Sequence, residues 1–367
     1  MMEDKEKYEN IVKQVFVDFK CKKFEKNNFV GALISNSNFN EFQKSFINRM
    51  QDIKPLIEIG SEKERHKWKT TIYTILNSLA DKKNYEGAWA EFCALYELHH
   101  ISKNLHEQLD SEIDVQANKT LGKYYNKKIT NYDFKIGDNL LLDVKIFADK
   151  DVRIIQEWCD ELTKNTDVTI LPEISYPLEI DTITNNVQGI KNEIKEAVNS
   201  EKLVYQSKIL DVLSYKIQKG SGILMATSIF DPYLFAKNEH QLVFKHFNKL
   251  HTKIPTVLVY VLHPWFSIGS LTSGFEDSQD VAFRSIARRL FMQYKNKKIE
   301  NFNHLPKNAT QYLSGIIFIV DKFVKNEKNQ VFFYTNPNAK NKMYRLQRDY
   351  IKDTLHAKYD WFEYDNY

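Results

Sequence analysis

The chain has 367 residues, long enough for one large or two modest domains with a full core. Its 52 Lys and Arg against 48 Asp and Glu leave a net charge of +4, which excludes a polybasic tail and confines any nucleic-acid contact to local patches. Three scattered cysteines (Cys21, Cys93, Cys159) exclude a disulfide scaffold and a cysteine-built zinc site. The charged opening residues and the lack of a run of about 18 apolar residues predict no signal peptide, no membrane span and a cytoplasmic chain.

Residues 1–83 read as helical, with apolar stripes Tyr8, Ile11, Val15, Phe19 and Phe39, Phe42, Phe46, Met50. A third helix opens on a capping box, Ser61 with Glu64, and carries Trp68, Ile72, Ile75 and Leu79. Asn84 is the expected N-cap of a helix running to about Leu109, followed by a short strand over 112–117. Next come two strands, Tyr132–Ile136 and Leu140–Phe147, then an insertion at 148–200, a helix over 202–216 and a strand over 222–229. A helix over 238–250 leads to Thr256–Leu262, whose continuous apolar run predicts a strand buried on both faces. A basic helix at 280–295, strands at 315–320 and 331–334 and a helix at 344–356 complete the chain. The expected organisation is a helical region 1–83, an α/β core 84–265 and an α+β extension 266–367, packed as lobes because no Gly/Ser linker separates them.

Chemistry concentrates in the hairpin. Tyr132, Phe134, Ile136 and Leu140, Leu142, Val144, Ile146 alternate with period two, and Gly137-Asp138-Asn139 supplies the turn. A three-residue loop centred on Asp138 sets Ile136 opposite Leu140, Phe134 opposite Leu142 and Asp133 opposite Asp143. A two-residue loop would instead oppose apolar and charged side chains. Two carboxylates held about 5 Å apart repel and call for a cation. Lys145, two residues beyond Asp143, projects from the same face. A plain solvated hairpin face would show similar residues. On the preceding helix, Glu91 has Gly87 one turn before it and Leu95 and Leu98 after it. This sets a carboxylate on the core-facing stripe, where it needs a partner. Glu97 falls on a more polar sector.

A helix glutamate, a strand aspartate and then Asp-x-Lys on the next strand resemble the PD-(D/E)xK, or restriction-endonuclease-like, nuclease superfamily over residues 84–147, and less closely to 265. Tyr132 stands where that motif often has proline, and Asp143 where it more often has glutamate. The resemblance implies an α/β fold with a mixed central β-sheet flanked by helices. It also implies Mg²⁺, with Mn²⁺ as substitute, held by Asp133, Asp143 and Glu91, and Lys145 as the water-positioning cation. Gln206 and Lys208 on the following helix become candidate phosphate contacts. Arg284 and Arg288, at i and i+4 of the basic helix, could hold phosphates or form a solvated face.

The activity so implied is metal-dependent hydrolysis of DNA phosphodiesters, with DNA as partner, a homodimer for double-strand cutting, and a restriction or anti-phage defence system as setting. A catalytically inactive subunit of the same fold that binds DNA or a protein partner, and an RNA-directed nuclease, are the alternatives.

Overall fold

A computed structural model describes residues 2–22, 29–35, 40–81, 84–116, 128–147, 150–164, 166–174, 180–220, 232–263, 276–293, 306, 308–322, 328–355 and 358–359. In chain order these form helices α1 (Met2–Lys13), α2 (Phe29–Ser35), α3 (Asn40–Ile53), α4 (Pro55–Glu58), α5 (Glu62–Ser78) and α6 (Tyr85–Leu105), then strands β1 (Leu109–Gln116), β2 (Ile129–Ile136) and β3 (Leu140–Ile146). There follow α7 (Lys150–Thr163), β4 (Val168–Ile174), α8 (Ile180–Asn185), α9 (Val187–Asn199), β5 (Val204–Gln206), β6 (Leu213–Lys219) and α10 (Pro232–Glu239). The last part holds a 3-10 segment (His240–Lys249), β7 (Thr256–Leu262), α11 (Glu276–Met292), a 3-10 turn (Ala309–Tyr312), β8 (Gly315–Val320), β9 (Gln330–Thr335), α12 (Arg345–Leu355) and β10 (Lys358–Tyr359). The chain divides into two compact units, the first comprising Met1–Phe147, Leu242–Pro264 and Ala287–Tyr367 and the second Ala148–Gln241 and Trp265–Ile286. The first 83 residues therefore share a unit with the strands that follow them. The second unit covers more chain than the insertion expected at 148–200.

The first unit is built on a mixed sheet in the order β1-β2-β3-β7-β8-β9-β10. Strands β1, β2 and β3 run antiparallel, β3, β7 and β8 run parallel, and β9 reverses against β8. Every residue of β7 and β8 is buried, as the continuous apolar run of the former requires of a central strand. The N-terminal helices bury their aromatic stripes against α6: Phe42 stacks on Trp89 at 5.5 Å and Phe46 meets Phe92 at 5.2 Å. Such ring pairs add about 0.5–1.5 kcal/mol each beyond the area they bury. Ser61 and Glu64 form the reciprocal capping box that starts α5. Asn84 makes no such cap for α6; its side-chain amide donates to Asp81. At the other end α6 stops at His106, whose φ of 55° turns the chain out of the helix.

The hairpin register is the one its alternation demands, with Phe134, Lys135 and Ile136 opposite Leu142, Leu141 and Leu140. Gly137 has φ +54° and donates its N–H to the Gln108 carbonyl at 2.8 Å, while a Cβ there would lie 2.6 Å from Glu107 Oε2. Gly137→Ala is expected to lower unfolding free energy by about 1 kcal/mol in urea titrations, the left-handed penalty for a residue with a Cβ. An unchanged midpoint would show that the turn tolerates one.

The second unit carries a three-stranded antiparallel sheet, β4-β6-β5, over a core of Ile155, Cys159, Ile170, Ile190, Ile194, Leu213 and Tyr215. Residues 202–216, expected as a helix, are instead β5, a turn and the start of β6. Two causes are visible. Leu213, Tyr215 and Ile217 are buried while Ser214, Lys216 and Gln218 between them are not, a period of two. The buried Glu193 also accepts from Ser207 Oγ and Lys208 N, both at 2.6 Å, and Ser207 Oγ accepts from Leu210 N at 3.0 Å, which fixes a turn in mid-segment. The strand expected at 222–229 lies outside the described residues. In the sheet, the neighbour of β3 is β7, and a 3-10 segment rather than a regular helix leads into it.

Candidate active site

Four of the residues singled out above gather in the first unit, on α6, β2 and β3. Beyond Phe134 the ladder between β2 and β3 stops, and the Asp133 carboxylate takes over by accepting the Val144 N–H at 2.6 Å. This bond fixes the aspartate against the strand that carries the next acid. Asp143 follows, its side chain fully buried, and Lys145 reaches back so that Nζ lies 2.6 Å from Asp143 Oδ2 and donates to the Val144 carbonyl at 2.8 Å. Leu258 and Tyr260 of β7 lie opposite Asp143 and Lys145 in the parallel ladder.

A fifth residue, which no sequence pattern marks, completes the cluster. Lys249, at the end of the 3-10 segment, sets Nζ 3.0 Å from Asp143 Oδ1, donates to the Asn131 carbonyl and stands 6.0 Å from the centre of the Tyr132 ring. The carboxylate thus carries an ammonium on each oxygen. These are ion pairs by distance, with angles outside hydrogen-bond geometry for both oxygens. The only trace of Lys249 in the sequence was its place just before a buried strand, where many lysines stand for no reason of chemistry.

The electrostatics follow from burying three acids together. Burial, then the charge of Asp133, pushes the Glu91 carboxyl up to about 7, against the opposing pull of Lys145. Asp133 is raised by burial and by the charge of Asp143, with Lys145, the Val144 N–H and Lys249 pulling the other way. The Tyr132 and Tyr260 hydroxyls are held protonated by burial and by the charge of Asp143. Of these, Tyr260 is buried, and its hydroxyl has no hydrogen-bond partner among the described residues. Gly87, one turn before Glu91, has nothing among the described residues within 4 Å of where a Cβ would lie.

Among the described residues, no three His, Cys, Asp or Glu side chains converge closely enough to enclose a metal ion. Asp133 and Asp143 nevertheless fit Mg²⁺, which is commonly held by one or two carboxylates and keeps several waters. Glu91 lies within electrostatic reach of both.

The remaining candidates lie in other elements. Gln206, in β5 of the second unit, donates to the Asp211 and Leu213 carbonyls, and Lys208 pairs with Glu196 at 2.9 Å. Both serve the turn described above. Arg284 and Arg288 are half-buried on α11, on either side of the boundary between the units. Glu97 accepts from Asn329 at 2.8 Å, in a separate polar cluster where Trp89 Nε1 donates to buried Asp321 at 2.5 Å and Arg49 lies 3.9 Å from it. No described helix is long and apolar enough to cross a membrane.

Compared with protein-family models, with curated proteins and with solved structures, the chain matches none.

Proposed function

We propose that the first unit is a metal-dependent nuclease of the PD-(D/E)xK kind that hydrolyses DNA. The observation that carries this reading is the convergence of Glu91, Asp133, Asp143 and Lys145 from a helix and two consecutive strands, with β3 joined to a parallel partner strand. Charge supports it. The first unit holds 41 Lys and Arg against 30 Asp and Glu, a net +11. The second holds 11 against 18, a net −7, and together they make the 52 and 48 of the chain. A polyanionic substrate suits the unit that carries the acids.

A divalent cation on Asp133 and Asp143 would supply an activated water and a Lewis acid for the phosphoryl oxygen. The chain's own groups do the rest. The Val144 N–H holds Asp133 in one orientation, so its free oxygen keeps a fixed place. Lys145, tied to the Val144 carbonyl and Asp143, presents a positive charge for the scissile phosphate. Glu91, titrating near 7, can take up or release a proton at neutral pH.

The neutralisation of Asp143 by two lysines favours one competing reading, an inert subunit whose acids are locked in ion pairs. Plasmid, linear and single-stranded DNA, and RNA, incubated in Mg²⁺, Mn²⁺ or EDTA with wild type and Asp143→Ala, separate the two. Cutting of DNA by wild type alone, lost in EDTA, is the expected result. Cutting that persists in Asp143→Ala or in EDTA removes this site, and a wild type inert on every substrate supports the inert subunit.

A further inference from the structure

We propose that Lys249 is the resident counter-ion of Asp143 and that a divalent cation enters the site by displacing it. The inference rests on the metal site proposed above and adds to it a residue outside the motif. A carboxylate with a fully buried side chain is expensive to keep charged unless paired. Lys145 occupies Oδ2 and Lys249 occupies Oδ1, so both oxygens that a cation would use already face an ammonium.

The two lysines are not equivalent. Lys145 comes from the same strand two residues away and is tied to the Val144 carbonyl. Lys249 comes from the segment that precedes β7, and its other contacts, the Asn131 carbonyl and the face of Tyr132, lie on β2 rather than beside its own backbone. Its side chain is 20% exposed, much as that of Lys145 is at 19%, so its ammonium has a way to water. An ammonium 3.0 Å from Oδ1 and a doubly charged ion on the same oxygen repel strongly at such range. One of them leaves, and Lys249, 3.0 Å from its oxygen where Lys145 is 2.6 Å from its own, holds Asp143 less closely. In the ion-free protein Lys249 therefore stays paired with Asp143. When the ion arrives, the freed ammonium remains at the rim of the site, where the phosphodiester backbone of a bound strand would pass.

The test is Mn²⁺ titration of the full chain by calorimetry, for wild type, Lys249→Met, Lys249→Gln, Lys249→Arg and Asp143→Asn. The glutamine variant can still donate to the Asn131 carbonyl and serves if methionine does not fold. Either neutral variant is expected to bind Mn²⁺ with a Kd about tenfold lower than wild type, the arginine variant to bind as wild type does, and Asp143→Asn to lose binding. In EDTA the neutral variants should melt below wild type and gain more on adding Mn²⁺. If wild type binds Mn²⁺ through Asp143 and the neutral variants bind no tighter, the displacement idea fails while the metal site stands. If neither wild type nor the neutral variants bind Mn²⁺, both fall together.

Discussion

Asp143→Asn is expected to lower the rate of DNA cleavage by about a thousandfold or more, some 4 kcal/mol of transition-state stabilisation. Asparagine is close to isosteric, so the buried pocket between β2 and β7 stays filled, but the charge on which the cation and both lysines depend is gone. Lys145 and Lys249 then face each other across a neutral amide, and the cluster loses a negative charge that would hold a metal. Single-turnover cleavage of supercoiled plasmid is the measurement. Circular dichroism and urea unfolding of the same preparation separate a chemical loss from a structural one. Asp133→Asn makes an informative companion, because its amide oxygen can still accept the Val144 N–H and so keep the strands apart by the same amount. A variant at Asp143 within tenfold of wild type would exclude it from the chemistry.

Glu91→Gln is expected to stabilise the ion-free protein by about 1–3 kcal/mol at pH 8, with no gain near pH 4. In the unfolded chain this glutamate titrates near 4.5, and in the folded chain near 7. Between those values the folded state holds a proton that the unfolded state has lost, so stability falls as pH rises through the window, and above it the penalty is complete. Glutamine never ionises and escapes that penalty. The figure is at the lower end of its range to the extent that water reaches the half-buried carboxyl. Urea titrations of both proteins in EDTA between pH 4 and 8 measure the difference. A gain independent of pH would mean that packing, not charge, sets the preference. Saturating Mn²⁺ should shrink the difference, since a cation beside Glu91 favours its ionised form.

The hairpin was readable because one face of a two-stranded ribbon must be apolar throughout, and only one register of Tyr132–Ile136 against Leu140–Ile146 achieves that. The burial of β7 was readable for a related reason, since seven consecutive apolar or small residues leave no face for water. Glu91 stood out as a charge on an otherwise apolar helical stripe. Other features depended on partners that local pattern does not name. Lys249 meets Asp143 only because β7 inserts beside β3, a pairing made across more than a hundred positions of chain. Residues 202–216 carry apolar positions that suit either period, and the choice falls to Glu193, which pins the turn at Ser207 from a different helix. The same limit applies to Glu97, whose partner Asn329 comes from the far end of the sequence.

The parallel pairing of β3 with β7 also orders events in time. Leu141 meets Thr256, and every residue of the second unit's 148–241 segment is synthesised between them. A nascent chain that has reached residue 147 already contains Glu91, Asp133, Asp143 and Lys145, yet it lacks β7, the strand that buries one edge of β3, and it lacks Lys249. Long-range parallel pairing of this kind is slow to form, because the loop must close before any contact rewards it. Asp133, Asp143 and Lys145 therefore spend the early life of the polypeptide on a sheet whose β3 edge is open, and the site reaches its full charge balance only after the central strand docks.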